Sequence, residues 1–460
     1  MHPTAISYPA LESFIAAEME RWHVPGVAVG ILHNGQEYSA GFGVTNVVHP
    51  LAVDSDTLFQ IGSTTKTITA TVAMRLVEAG QLELDAPIRR YLPDLRLSDE
   101  SVAKRVTLRH CFTHTGGWLG DYFDDTGDGD DALARYVERM ADLPQLTPLG
   151  EIWSYNNAGF GLAGRVIEAV TGEPYEQAAR RLLLNPLGME MSFFGAADAI
   201  THRCAVGHIV MDAEDPAKAR PEVARPWALA RNANCVGGLI SSAKDQLRYA
   251  RFHLGDGLAE SGERLLTPAS MALMQSELAE AGSGTKAVGV SWLLGEIGGQ
   301  KTVAHGGATK GQMSAFLFVP GGNFAVTVLT NADRGRTLHG RVVKWALENI
   351  AGLVAPEPTP IVLSADQLAV YAGHYHAALS DLDVTATENG LVLQVIPKGG
   401  FPKKDSPPGP TPPPAPATFT APDRLLITDG PSAGNRGEVL RDPAGEIAWL
   451  RLGGRVHKRL

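Results

Sequence analysis

The sequence predicts a mixed α/β (α+β) chain: one antiparallel sheet assembled from both ends of a long first segment, a mainly helical region inserted between those ends, and a separate all-β, barrel-like unit at the C-terminus. Three observations carry this. Alternating apolar runs occur at 26–43 and again after 285, with helical periodicity from about 63 to 284. A Pro-rich stretch, VAPEPTPIVLSADQ (354–367), reads as a linker. Beyond it come only short alternating runs with turn signals.

The elements follow in order. Residues 9–22 have helical periodicity. GVAVGILHNGQEYSAGFG (26–43) alternates around Asn34-Gly35, a hairpin signal. TKTITATVAMRLVEAG reads as a buried helix ending at Gly80. AGFGLAGRVIEAVTGEPYEQAARRLLLNPLG reads as two helices around a Gly/Pro break, and SSAKDQLRYARFHLGDG as a helix with a serine cap. Strands return in GVSWLLGEI, KTVAH, QMSAFLFVP and NFAVTVLTNA, and TLHGRVVKWALENIAGL closes the segment as a helix. The expected division is 1–353, with the helical part about 63–284 inserted; a linker at 354–367; and an all-β unit at 368–460 with a Pro-rich insertion at 397–417. That insertion favours an extended surface loop, long enough to overhang a neighbouring site.

Composition narrows the function classes. The chain has 460 residues, 44% apolar and 20% charged, with net charge −10. That charge argues against nucleic acid or an anionic membrane as partner. No run of 18 apolar residues offers a membrane span, and acidic residues occupy the N-terminal region where a secretion signal needs an apolar core, so a cytoplasmic location is expected. Cys111, Cys204 and Cys235 are scattered, without metal spacing, and read as buried free thiols.

Three short motifs carry chemistry. Ser63 and Lys66 in FQIGSTTKTITATVAM share a helix face, so a neutral lysine can take the serine proton. The same S-x-x-K spacing occurs at Ser101/Lys104, Ser241/Lys244 and Ser283/Lys286, but only Ser63 opens a long apolar helix. IWSYNNAGFGLAG holds the chain's one Y-x-N, Tyr155 and Asn157; a phenol can relay protons and an amide can both donate and accept. KTVAHGGATKG puts His305, followed by Gly306 and Gly307, at an expected strand end and corner. The H-x-G pattern also occurs at His33 and His114, and a lysine form at Lys398.

Taken in this order, Ser-x-x-Lys, Tyr-x-Asn and His-x-Gly resemble the serine β-lactamase and D,D-peptidase superfamily, in its esterase and D-amino-acid peptidase branch. TLRHCFTHTGGW, SYNNAGFGLAGRVIEAVTGEPYEQAARRLLLNPLGM and NCVGGLISSAKDQLRYARF strengthen the resemblance, which covers about 9–352. The terminal unit is similar to lipocalin-like domains that follow this catalytic domain in some D-amino-acid-directed peptidases. The resemblance implies a β-lactamase/transpeptidase-like fold, Ser63 as nucleophile, and Lys66 with Tyr155 as the general-base system. It implies that Asn157 orients the substrate and the lysine, that His305 and Gly307 edge the substrate site, and that the backbone N–H groups of Ser63 and Ala308 form the oxyanion hole. No cofactor or metal is expected. The expected partner is a small-molecule or short-peptide substrate, with a homo-oligomer implied by analogy.

Relatives of the lactamase type carry lysine where this chain has His305, which shifts the expectation toward ester, amide or peptide hydrolysis. A true β-lactamase or D,D-carboxypeptidase, and a catalytically silent binding protein, are the alternatives. The acidic run GDYFDDTGDGDDAL (120–133) reads as a solvated loop or as a negative rim favouring amine-bearing substrates; the bidentate Glu of a calcium loop is missing at the required distance. His374 and His376 share a strand face without an evident third ligand.

Overall fold

The structure is a computed structural model and describes residues 8–211, 215, 218–282, 284–430 and 432–460; Ser283, one of the S-x-x-K serines, lies outside the described residues. Helix α1 (Pro9–Trp22) leads into β1 (Gly26–His33) and β2 (Gln36–Gly43). Asn34 and Gly35 both adopt positive φ (50° and 79°), the pairing that lets a two-residue turn follow the strand twist. The later strands are β3 (Leu293–Ile297), β4 (Gln300–Thr309), β5 (Gln312–Val319) and β6 (Phe324–Thr330). The sheet runs β2-β1-β6-β5-β4-β3 and then two short strands, 287–288 and 279–280. The two ends of the segment join where β1 pairs with β6, from Val27↔Thr330 to His33↔Phe324.

Both sheet faces are buried. Val27, Val29 and Ile31 point into a core with Leu11, Ile15, Leu338 and Val342, beneath α1 and the closing helix. Ala28 and Leu32, one register step away, enter the core of the helical region. That region contains α2 (Thr65–Glu78), α3 (Asn157–Thr171) and α4 (Ala243–Leu254); α5 (Gly335–Asn349) follows β6. Ser242 caps α4 by accepting the Asp245 N–H, and Asn156 caps α3 by accepting the Gly159 N–H.

One expectation about β4 is corrected. The strand does not end at His305. It runs on through Gly306↔Ala315, Gly307↔Ser314 and Ala308↔Met313, and the chain turns at Lys310-Gly311, with Gly311 at φ 75°. The glycine at 307 serves close approach: a Cβ there would lie 1.8 Å from the Ile61 carbonyl oxygen.

At the C-terminus eight antiparallel strands, from Gly373–His376 to Arg455–Arg459, form a closed barrel; the first pairs with the last through Tyr375↔Arg459. Tyr375, Leu393, Phe419, Leu425 and Leu450 fill its interior, as eight strands allow. His374 and His376 on the first strand pair with Asp383 and Asp381. The thiols are unpaired, with Cys111 and Cys235 buried and Cys204 half-buried. Among the described residues no helix is long and apolar enough to cross a membrane.

Candidate active site

Ser63 sits on a single 3-10 turn, Gly62–Thr64, that feeds α2. Gly62 takes φ 53°, and its α-carbon faces Ala308: a Cβ would lie 2.5 Å from the Ala308 nitrogen. β3 pairs with β4 only from Gln300 to Ala304. Residues 305–309 therefore have an edge unpaired by β3, and the Ser63 turn packs against this part of the strand.

Lys66 lies one turn into α2 and is fully buried. Its Nζ is 3.0 Å from Ser63 Oγ and donates to the Val236 carbonyl at 2.8 Å. Burial drives its pKa well below the usual lysine range, and the nearby Arg455 guanidinium pushes the same way. The amine is thus poised to accept a proton. Tyr155 hydrogen-bonds Ser63, and burial lifts its pKa to about 12 against the opposing pull of that bond and of Arg455. At neutral pH it is a phenol, able to pass a proton but not to act as a resting phenolate base. The Tyr155 ring stacks on His114 at 4.4 Å, and Lys66 Nζ lies 5.1 Å from its centroid.

Asn157 lines the same cleft, yet no hydrogen bond joins it to Lys66. Its amide donates to Asp121 Oδ1 at 2.8 Å, and the backbone carbonyl of Val236 holds the lysine instead. Asp121 is in turn clasped by Arg455 from the barrel, at 2.9 and 3.1 Å. Burial opposes the Arg455 charge and Asp121 outweighs it, so its pKa stands above the ordinary value. The barrel reaches further: Tyr155 N–H donates to the Gly454 carbonyl at 2.8 Å, and Arg451 donates to the Trp153 carbonyl at 2.8 Å.

His305 is buried, 2% exposed. Its Nδ1–H donates to the Gly306 carbonyl at 2.7 Å, and its Nε2 has no hydrogen-bond partner among the described residues. Burial, with Lys66 adding to it, lowers its pKa to about 3. The third motif therefore presents a neutral imidazole, as its residue type leads one to expect.

Five of the six aspartates of the acidic run are ion-paired. Asp121 pairs with Arg455, Asp124 with Arg139, Asp125 with Lys403, Asp130 with Arg231 and Asp131 with Arg135. These five partners are four arginines and a lysine, and Asp124 also lines the cleft. The cleft also presents Arg336, on the first turn of α5. The residue is exposed to the cleft, while burial of its guanidinium and the nearby Arg455 charge lower its pKa, and no hydrogen bond or ion pair joins it to the described residues. The cleft measures about 660 Å³ and is lined by Ser63, Tyr155, Asn157, His305, Gly307 and Ala308 together with residues of the barrel.

Sequence reasoning brought out the serine, tyrosine, asparagine and histidine that line this cleft and the lysine buried beside the serine. It missed Arg336, Arg455, the stacking role of His114 and the Val236 carbonyl. In LRLGGRV (450–456) the Gly-Gly pair marks a hairpin, but nothing local marks what that hairpin touches.

The Beta-lactamase family model matches residues 11–346. The chain belongs to that family. Beta-lactamase-family relatives include penicillin-binding protein 4 of Amycolatopsis lactamdurans, 36% identical over 351 residues, spanning 75% of this chain and 91% of that protein. Esterase EstB of Burkholderia gladioli is 35% identical over 220 residues, 43% of this chain and 56% of the esterase. Among solved structures, SurE superposes with TM-score 0.75 at 26% identity over 98% of each chain, so the likeness includes the barrel. SurE with D-Leu superposes at 0.73 and 25% identity, over 98% of this chain and 99% of the other.

Proposed function

We propose that this beta-lactamase-family chain is a serine hydrolase that forms an acyl-enzyme on Ser63 and hydrolyses an ester, amide or peptide bond. The observation that carries this reading is the buried, proton-poor Lys66 amine 3.0 Å from Ser63 Oγ. Lys66 takes the Ser63 proton as Oγ attacks the carbonyl. Tyr155, bonded to Ser63, hands its proton to the departing group and is reprotonated by the proton Lys66 took from Ser63, which returns the lysine to its neutral form. The Ser63 and Ala308 N–H groups receive the oxyanion, each worth about 3–4 kcal/mol in sites of this kind. Asn157, fixed by Asp121, together with His305 and Gly307 orients the acyl group. A water activated by the same lysine releases the product.

The likeness to SurE with D-Leu supports an esterase or D-amino-acid peptidase/amidase reading. Arg336 supports a substrate that carries an anionic group, since an unpaired guanidinium in a cleft is a bidentate partner for a carboxylate. It also supports a second reading, a penicillin-reactive enzyme, because it supplies the cation that His305 does not.

Fluorophosphonate labelling with peptide mapping, controlled by Ser63→Ala, tests the nucleophile. A panel of p-nitrophenyl esters, D- and L-amino-acid amides and nitrocefin separates the substrate readings. A label that persists in Ser63→Ala contradicts the nucleophile, and nitrocefin turnover exceeding that of every ester and amide contradicts the esterase/amidase preference. Arg336→Ala should raise KM for carboxylate-bearing substrates about tenfold relative to their amide-capped forms; an equal change for both contradicts the anionic reading.

A further inference from the structure

The Pro-rich loop 398–414, between barrel strands Gly390–Pro397 and Ala415–Ala421, is not idle surface. It is ordered by its own bonds: Gly400 N–H donates to the Ser406 carbonyl at 2.9 Å, and Ser406 N–H to the Lys403 carbonyl at 2.9 Å. It then crosses to the acidic loop of the preceding segment. Lys404 N–H donates to the Phe123 carbonyl at 3.0 Å, and Lys403 Nζ pairs with Asp125 at 2.8 Å. The Phe401 ring meets the Phe123 ring edge-on, centroids 5.0 Å apart. Leu379 completes the corner, 3.3 Å from where a Cβ on Gly400 would stand.

Phe123, Leu379, Phe401 and Pro402 all line the cleft that holds Ser63. A second cavity of about 500 Å³ is also lined by Phe123 and Leu379, together with Gly400. Phe123 and Leu379 thus border both spaces, while Phe401 faces the cleft that holds Ser63. Phe401 and Phe123 are half-buried, so each leaves apolar surface facing the cleft. This is the opposite chemistry to Arg336 and Arg455 in the same cleft.

We propose that Phe401, held across the cleft by the loop and paired with Phe123, forms a specificity-determining subsite for a bulky apolar group of the substrate. This rests on the serine-hydrolase reading for its consequence in catalysis, though not for its binding test. An apolar group entering the corner replaces water on two aromatic faces and on Leu379 and Pro402, and a longer acyl chain has more apolar surface to bury there than a small one. The Lys403–Asp125 pair and the Lys404–Phe123 backbone bond keep the loop across the cleft and fix the width of the corner.

The test compares p-nitrophenyl octanoate with p-nitrophenyl acetate on the full chain. In Phe401→Ala the octanoate-to-acetate ratio of kcat/KM should fall about tenfold, the range that a few methylenes in an apolar pocket command. Calorimetric binding of the two esters to the non-turnover Ser63→Ala chain reads the same subsite without chemistry, and Phe401→Ala in that background should weaken octanoate about tenfold more than acetate. Phe401→Leu should keep most of the preference. Lys403→Asp should lower it, and adding Asp125→Lys should restore it. An unchanged octanoate-to-acetate ratio in Phe401→Ala, in both turnover and binding, overturns the proposal. Loss of labelling at Ser63 with the binding preference intact would instead count against the hydrolase reading alone.

Discussion

At the residue scale, burial strips Lys66 of its usual charge. A group whose folded pKa is depressed binds fewer protons folded than unfolded below the unfolded pKa. Lys66 therefore costs stability at neutral pH, and the cost fades only as pH rises toward the ordinary lysine value near 10.4. Lys66→Met should raise the melting temperature at pH 7 while lowering acylation by roughly 10²–10⁴-fold, as loss of a general base does. A thermal melt and a burst assay on one preparation check both, and a variant that is both less stable and fully active would refute the role. Wild-type activity should fall with acid as the Lys66 amine takes a proton, at a pH well below the lysine range. Ser63 and Lys66 were legible in the sequence because their relation is local: positions i and i+3 of one helix are neighbours whatever the rest of the chain does. Arg336 was not, since a guanidinium free in a cleft reads in sequence like any helix-surface arginine.

At the element scale two backbone approaches assemble the site. Gly307 of β4 meets the Ile61 carbonyl with no room for a Cβ, so Gly307→Ala has to push the strand off the Ser63 turn. It should cost about 1–3 kcal/mol of stability, as overpacking does, and a larger share of acylation, read by denaturant titration and labelling rate together. Gly454, at φ 80° and with Trp153 2.9 Å from an added Cβ, plays the same part on the barrel side. The sequence marked glycines at both places, and at β4 it pointed to a turn. The structure keeps the strand running, because the pairing with β5 continues through Thr309↔Gln312 and the close neighbour is a carbonyl 246 residues earlier than Gly307. Periodicity reports which face of a strand is buried, not what approaches its edge.

At the scale of the whole molecule the barrel is part of the cleft. Arg455 spans 334 residues of sequence to reach Asp121, and Asp121 holds Asn157. Arg455→Met should therefore lower kcat/KM roughly tenfold or more through Asn157, while leaving the barrel fold intact by circular dichroism. Neutral histidines, buried at 253, 305 and 457 and half-buried at 339, span both parts of the chain. Burial lowers His253, His305 and His339 to about 3 and His457 to about 4. Their unfolded forms protonate near pH 6.5, so stability should drop steadily as pH falls from about 6.5 toward 4. A melting temperature that holds constant across that range would contradict the burial of these rings. The two-part architecture was readable from the Pro-rich linker and the change of periodicity. How the parts engage was not, because the contacts join single residues across hundreds of positions.

The most direct measurement is the covalent state of Ser63 during turnover. A p-nitrophenyl ester reaction quenched in acid within the burst, digested and mapped by mass, should place the acyl group on the peptide containing Ser63, and that mass should vanish in Ser63→Ala and Lys66→Met. Turnover with no acyl mass on Ser63, or with the acyl group on another residue, would contradict the account.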